Sequence, residues 1–93
     1  MRKYELMTIF PLDEDRSKKG LETVRQVLSQ FGAEIAKEEP FGDRDLTYEI
    51  KKQKKGRFIL MNVNANPGKI AEISAQFKLN NDLLKYMFVL IEE

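Results

Sequence analysis

The first thirty residues change from strand-like to helix-like spacing of their apolar side chains. Residues 3–10 are dense in apolar residues on both parities, which is typical of a central strand that is covered on both faces. After Pro11 the apolar residues recur at helical spacing, at Leu21, Val24, Val27, Leu28 and Phe31. Residues 13–17 offer several N-capping side chains and Gly32 suits a left-handed C-cap, so the pattern predicts a helix near residues 16–31.

The middle of the chain predicts a β-hairpin. An extended segment begins at Ala33, is interrupted at residues 40–42, and resumes as strict alternation at Leu46, Tyr48 and Ile50. Proline and a high density of charge favour an edge strand here. A turn is predicted at residues 53–56 and a strongly apolar strand at residues 58–65. Residues 44–65 are therefore expected to form a hairpin.

The remaining residues repeat the alternation of helix and strand. Asn66 followed by Pro67 predicts the start of a second helix, whose inward side chains are Ile70, Ile73 and Phe77. The polar residues 80–82 end this helix, and residues 87–91 predict a short final strand. The order is βαββαβ. This order favours an α+β fold of the ferredoxin-like type, a four-stranded antiparallel sheet with both helices on one face.

Two helices on one face leave the other face of the sheet uncovered. If Ile59, Met61 and Val63 face the helices, the open face carries Phe58, Leu60, Asn62 and Asn64. The opposite choice would bury two asparagines, which is costly without hydrogen-bond partners. The predicted core contains the apolar residues whose spacing points them inward: Leu6, Val24, Leu28, Phe31, Ile59, Val63, Ile70, Ile73 and Phe77.

Composition limits the chemistry of the chain. Ninety-three residues provide one domain's worth of sequence, so we expect a single domain over residues 1–93. There is no Cys and no His, which removes thiolate nucleophiles, cysteine zinc sites and the commonest general base. An enzyme would have to work with carboxylates, lysines and hydroxyls alone, and the acidic pairs Asp13/Asp15 and Glu38/Glu39 are typical of a helix N-terminus and a solvated loop. We expect no enzyme activity, no catalytic or metal site, no cofactor and no small-molecule substrate. No long apolar run or signal peptide is visible, so no membrane association and a cytoplasmic location are expected.

The charge is unevenly distributed although the net charge is only +1. Residues 34–50 carry six acids and two bases, a net of −4, whereas residues 51–57 carry five bases and no acid. A basic cluster of this kind can face a polyanion. The alternative is a solvated hairpin tip whose lysines only discourage edge pairing.

Two known modules with this topology match the sequence poorly. The RNA-recognition motif has the pattern K/R-G-F/Y-G/A-F-V-x-F/Y on its third strand, with aromatic side chains that stack on bases. Lys55 and Gly56 match its first two positions, but Arg57, Ile59 and Asn62 occupy the aromatic ones. Regulatory amino-acid-binding modules usually bind at a glycine-containing turn after the first strand. Here that turn, residues 11–14, is acidic and has no glycine.

Three segments resemble a known family. They are Arg2-Lys3-Tyr4-Glu5, then Gly42-Asp43-Arg44-Asp45-Leu46-Thr47-Tyr48-Glu49-Ile50 followed by Lys52 and Gly56, and Asp82-Leu83-Leu84-Lys85-Tyr86-Met87. Together they resemble the sixth protein of the bacterial small ribosomal subunit, over about residues 2–89. The chain departs from the family pattern at Thr47, Glu49 and Lys85, and it ends at Glu93 without the long tail that many members carry.

The resemblance implies a non-catalytic ribosomal protein. It would bind small-subunit ribosomal RNA jointly with the eighteenth small-subunit protein and contribute to assembly of the central domain, or platform. The predicted RNA contacts are Arg2, Arg44, Lys52 and Lys85 by position in the family, and Lys3 and Lys54 by charge and proximity. The predicted interface with the partner protein consists of Phe58, Leu60 and Asn62 on the open face.

Overall fold

The computed structural model describes residues 1–91, which form four strands and two α-helices. The strands are β1 (Arg2–Phe10), β2 (Glu34–Ile50), β3 (Gln53–Ala65) and β4 (Lys85–Leu90), and the helices are α1 (Glu14–Gln30) and α2 (Ile70–Phe77). A short 3-10 turn at Pro67–Lys69 precedes α2. All strands pair antiparallel in the order β2-β3-β1-β4. The predicted ferredoxin-like α+β fold is therefore confirmed.

The core lies between one face of the sheet and the two helices. Leu6 of β1 pairs with Met61 of β3, and both are fully buried. Thr8 is buried in the same layer because its hydroxyl donates to the carbonyl oxygen of Ile59 at 2.7 Å. Val24 and Leu28 of α1 are fully buried against this layer. Alternation along β3 is thus as predicted, with Ile59, Met61 and Val63 toward the helices.

The first helix begins two residues earlier than predicted. The Asp13 carboxylate accepts hydrogen bonds from the backbone N–H groups of Asp15 and Arg16, at 3.0 and 3.2 Å, which caps the helix. Its other end agrees with the prediction, because Gly32 has a φ of 77°. Two predicted core residues, Phe31 and Ile70, are only partly buried; each lies at the edge of its helix and packs against the rim of the core.

The hairpin is longer than predicted and its turn lies elsewhere. Strand β2 continues through residues 40–42, where a shift in register replaces the predicted interruption and Gly42 adopts a φ of 93°. The turn is formed by Lys51 and Lys52, since Ile50 pairs directly with Gln53. The predicted turn at residues 53–56 belongs instead to β3. The final strand also begins earlier than predicted, at Lys85.

The loop before β4 packs tightly on α1. A Cβ atom added at Gly20 would lie 2.3 Å from the carbonyl oxygen of Asp82, so only glycine permits this approach. The side-chain amide of Asn80 donates to the Gly20 carbonyl at 3.2 Å, and the Arg16 guanidinium pairs with Asp82 at 2.9 Å. These contacts hold the start of β4 in place relative to the helix.

Leu28→Ala tests the assignment of the helix face. Because Leu28 is fully buried, the substitution should lower the free energy of unfolding by about 2–5 kcal/mol, measured with urea. The matched control is Leu79→Ala, since Leu79 is 74% exposed and its loss should change stability by less than about 0.5 kcal/mol. Equal effects of the two substitutions would contradict the packing described above.

Candidate functional site

The open face of the sheet carries three cross-strand rows of side chains. The central row is Leu60, Met7 and Met87, which lie opposite one another on β3, β1 and β4. A second row consists of Phe58, Ile9 and Lys85, and a third of Asn62, Glu5 and Val89. The predicted interface residues Phe58, Leu60 and Asn62 therefore share one face, and each is half-buried. Two rows are mainly apolar and the third is partly polar.

The end of the hairpin folds over one end of this face. Ile9 is only 7% exposed although no helix covers it. It lines a cavity of about 410 Å³ together with Phe58 and with Leu46 and Ile50 of the hairpin. A Cβ atom at Gly56 would lie 2.4 Å from the Ile9 side chain, so this glycine allows the two strands to approach. The apolar side chains Leu46 and Ile50 of β2 thus pack against the open face of the sheet.

The base-stacking alternative does not fit the orientation of β3. Arg57 and Ile59, which stand at two of the aromatic positions of the RNA-recognition pattern, point toward the helices rather than to the open face. Arg57 contacts Glu14 of α1 at 3.1 Å, and Ile59 belongs to the core. Only Asn62 of the three reaches the open face. A base could not stack at these positions as it does in that module.

The six predicted RNA-contacting residues lie at two ends of the sheet. Arg2 and Lys3, here named the amino-terminal pair, begin β1 opposite Ala65 and Asn64. Lys85 is paired with Ile9 near the other end of β1, roughly 23 Å away at 3.3 Å per residue. Arg44, Lys52, Lys54 and Lys85 lie toward that second end and are named the hairpin-end group. The six residues therefore do not converge on one edge of the sheet.

The basic side chains of both groups are exposed. Arg44 lies over the Phe41 ring, 5.8 Å from its centre, and its Nε donates to the Phe41 carbonyl at 3.3 Å. Within residues 1–91, Arg2, Lys3, Lys52, Lys54 and Lys85 have no carboxylate within 4.0 Å. Their charges are therefore available to a polyanion.

Arg57 joins the base of the hairpin to α1. Its guanidinium pairs with Asp43 of β2 at 2.9 Å and with Glu14 of α1 at 3.1 Å. The hydrogen bond from Arg57 lowers the pKa of Asp43 below its ordinary value of 3.8, and the same contact raises the pKa of Arg57. A second link between β2 and α1 is the Arg25–Glu38 pair, in which the hydrogen bond from Arg25 lowers the Glu38 pKa. These contacts orient the segment that carries the hairpin-end group.

Sequence reasoning missed the residues that complete the open face. Met7, Ile9 and Met87 share rows with the predicted interface residues. Because β1 is apolar on both parities, its outward residues could be identified only after β3 had been oriented. Lys51 was also missed, although it belongs to the basic run; it donates from Nζ to the carbonyl oxygen of Leu83 at 3.1 Å. Lys78 lies outside the basic run of residues 51–57, and nothing in the sequence distinguishes it from other surface lysines.

In the part of the chain that the structure describes, no three acidic side chains are grouped so as to hold a metal ion. No helix among residues 1–91 is long and apolar enough to cross a membrane. Residues 1–91 thus form a ferredoxin-like domain with an open, largely apolar sheet face and two exposed basic ends.

Comparison with known sequences identifies the family. The family model described as ribosomal protein S6 matches residues 3–90. The small ribosomal subunit protein bS6 of Treponema denticola is 52% identical over 93 residues, covering all of both chains. Its counterparts in Treponema pallidum and Halalkalibacterium halodurans are 42% and 40% identical and cover 99% and 100% of both chains. The chain belongs to the ribosomal protein S6 family.

Two solved structures share the fold of this chain at low sequence identity. The crystal structure of 30S ribosomal protein S6 from Thermotoga maritima superposes with a TM-score of 0.83 at 22% identity, covering 96% of this chain and 86% of that one. The C-terminal domain of the MgtC protein from Mycobacterium tuberculosis reaches 0.65 at 9% identity, covering 100% and 90%. The fold is thus shared with a protein of another name, and the family assignment depends on the sequence matches.

Family membership confirms the coarser expectations for function. The chain is a structural protein of the small ribosomal subunit, not an enzyme, and is located with ribosomes in the cytoplasm.

Arg57→Gln should destabilise the protein in a pH-dependent manner. Because the folded-state pKa of Asp43 is lowered, the pair contributes stability above the unfolded pKa and loses it as the pH falls through the folded pKa. The difference in melting temperature between Arg57→Gln and wild type should therefore shrink from about pH 7 to about pH 2. As a control, Arg2→Gln should show a small, constant difference. A constant difference for Arg57→Gln would argue against the pair.

Proposed function

We propose that this protein acts as a single domain that binds small-subunit ribosomal RNA together with the eighteenth small-subunit protein, and contributes to assembly of the central domain, or platform. The observation that carries the proposal is the combination of an open apolar face with separate basic groups on one small sheet. Membership of the ribosomal protein S6 family supports it.

The open face suits a protein partner better than RNA bases. Leu60, Met7 and Met87 form a continuous apolar row across three strands, and Met87 is 55% exposed. An uncovered patch of this kind at the centre of a polar rim is typical of protein interfaces. Asn62 and Glu5, in the adjacent row, supply the polar groups of such a rim. We assign Phe58, Leu60 and Asn62 to the interface with the partner protein.

The basic groups suit RNA phosphates. Within residues 1–91, one of these cations lies over an aromatic ring, Arg44 above Phe41 at 5.8 Å. Arg and Lys without stacking aromatics contact the backbone and position the RNA rather than read its bases. With a net charge of only +1, the protein alone has limited attraction for RNA, so joint binding with a partner is expected. We assign Arg2, Lys3, Arg44, Lys52, Lys54 and Lys85 to phosphate contacts.

Leu60→Asp tests the protein interface. A carboxylate at the centre of the apolar row should lower affinity for the eighteenth small-subunit protein at least tenfold, because it would be buried without a partner. Titration calorimetry with the purified partner measures this. Leu79→Asp is the matched control, since Leu79 is 74% exposed and follows α2. If Leu60→Asp instead kept partner affinity and abolished binding to isolated RNA, base stacking would be the better explanation.

A salt series tests the phosphate contacts. In the complex of this protein, its partner and a central-domain RNA fragment, Arg2→Ala and Lys85→Ala should each weaken binding. Each should also flatten the slope of log affinity against log salt by about 0.7–0.9, the effect of one phosphate contact. Because the two residues lie toward opposite ends of the sheet, their effects should add. Lys18→Ala, on the exposed face of α1, should do neither; an unchanged slope for both Arg2→Ala and Lys85→Ala would refute these contacts.

A further inference from the structure

A cavity lined by three lysines lies between the hairpin turn and the start of β4. It has a volume of about 400 Å³, within the range of roughly 300–1,000 Å³ that is usual for ligand sites. Lys51, Lys78 and Lys85 line it over an apolar floor that includes Phe77, Leu83 and Leu84. These lysines come from the turn, from the end of α2 and from β4. They converge only in the folded protein.

The charge of this cavity is not balanced by the protein. No acidic residue lines it, and over the described range 1–91 none of its three lysines has a carboxylate within 4.0 Å. Asp82, in the loop between Lys78 and Lys85, pairs instead with Arg16 at 2.9 Å. Three like charges around one cavity repel one another, and an anion between them removes that cost.

The backbone of the turn provides a second, independent observation. Lys51 and Lys52 have φ values of 49° and 67°, so both central residues of a two-residue turn are left-handed. Such turns normally use Asn-Gly, because a side chain in this conformation is unfavourable. The strained turn nevertheless places Lys51 Nζ 3.1 Å from the carbonyl oxygen of Leu83, and both residues line the cavity. Strain that the surrounding structure maintains in this way is characteristic of functional sites.

We propose that this cavity is a phosphate-binding site in which Lys51, Lys78 and Lys85 hold one phosphate group. The ligand in the assembled state is a phosphodiester of the RNA backbone, which rests on the proposed function. Lysine binds phosphate as a point charge, and no stacking surface is required. The site adds Lys51 and Lys78 to the hairpin-end group and gives Lys85 a defined role.

The first experiment compares two double variants of equal charge. Lys51→Gln/Lys78→Gln should weaken binding of this protein and its partner to the RNA fragment roughly five- to tenfold. The slope of log affinity against log salt should become less steep by the equivalent of about one to two phosphate contacts, each of which contributes about 0.7–0.9. The control, Lys18→Gln/Lys19→Gln on α1, has the same net charge and should retain wild-type affinity and slope. Identical slopes for both double variants and wild type would overturn the assignment to RNA phosphate.

The second experiment uses the free protein and inorganic pyrophosphate, followed by amide chemical shifts in NMR. Shifts at residues 50–52 and 83–86 should be present in wild type and in the Lys18/Lys19 control, and absent in Lys51→Gln/Lys78→Gln. Urea unfolding of each variant excludes loss of structure as the cause. If neither pyrophosphate shifts nor a change in salt slope is observed, the phosphate site is refuted. If pyrophosphate binds there but wild type binds no ribosomal RNA, the proposed function fails while the site remains one for free phosphate.

Discussion

Two helices can cover only one face of a four-stranded sheet, so the other face of this sheet remains available at the protein surface. Antiparallel pairing of β1 with β3 places Leu6 opposite Met61 in the covered layer and Met7 opposite Leu60 in the uncovered one. The covered residues have no exposure at all, whereas the open row is partly exposed. The side chains that build the core and those available to a partner therefore alternate along the same strands. A shift of the strand register by one residue would therefore move the core side chains to the open face.

The hairpin extends this arrangement beyond the end of β1. Its apolar residues return to the open face and cover Ile9, and Lys51 at its turn donates a hydrogen bond to the Leu83 carbonyl just before β4. Arg57 secures the base of the same hairpin to Asp43 and Glu14. A protein that is nearly neutral overall thereby presents a locally positive end. Local concentration of charge, rather than net charge, is what allows attraction to a polyanion.

The two glycines of the hairpin show why local patterns were misread. Gly56 is predicted to lie in a turn, yet it lies within β3, where glycine is needed because the Ile9 side chain leaves no room for a Cβ atom. Gly42 was interpreted as part of an interruption, yet its left-handed backbone belongs to a register shift inside a continuous strand. The actual turn, at Lys51 and Lys52, has no typical turn residue. The presence of glycine therefore marks these two positions as special, but it does not tell a turn from a register shift or from a close approach of a side chain.

The sequence by itself determined the order of elements, the covered face of β3 and the family. Helical periodicity in α1 and alternation around Met61 are local properties, and the cost of burying Asn62 and Asn64 oriented the strand without any knowledge of its neighbours. Only the tertiary structure decided which residues of β1 and β4 join the open face, because those strands lack a clear alternation of polarity. It also separated Arg2 from Lys85 and brought Lys51, Lys78 and Lys85 together. Such groupings depend on strand order and register, which bring together residues far apart along the chain. They produce no periodic pattern of apolar and polar residues in the sequence.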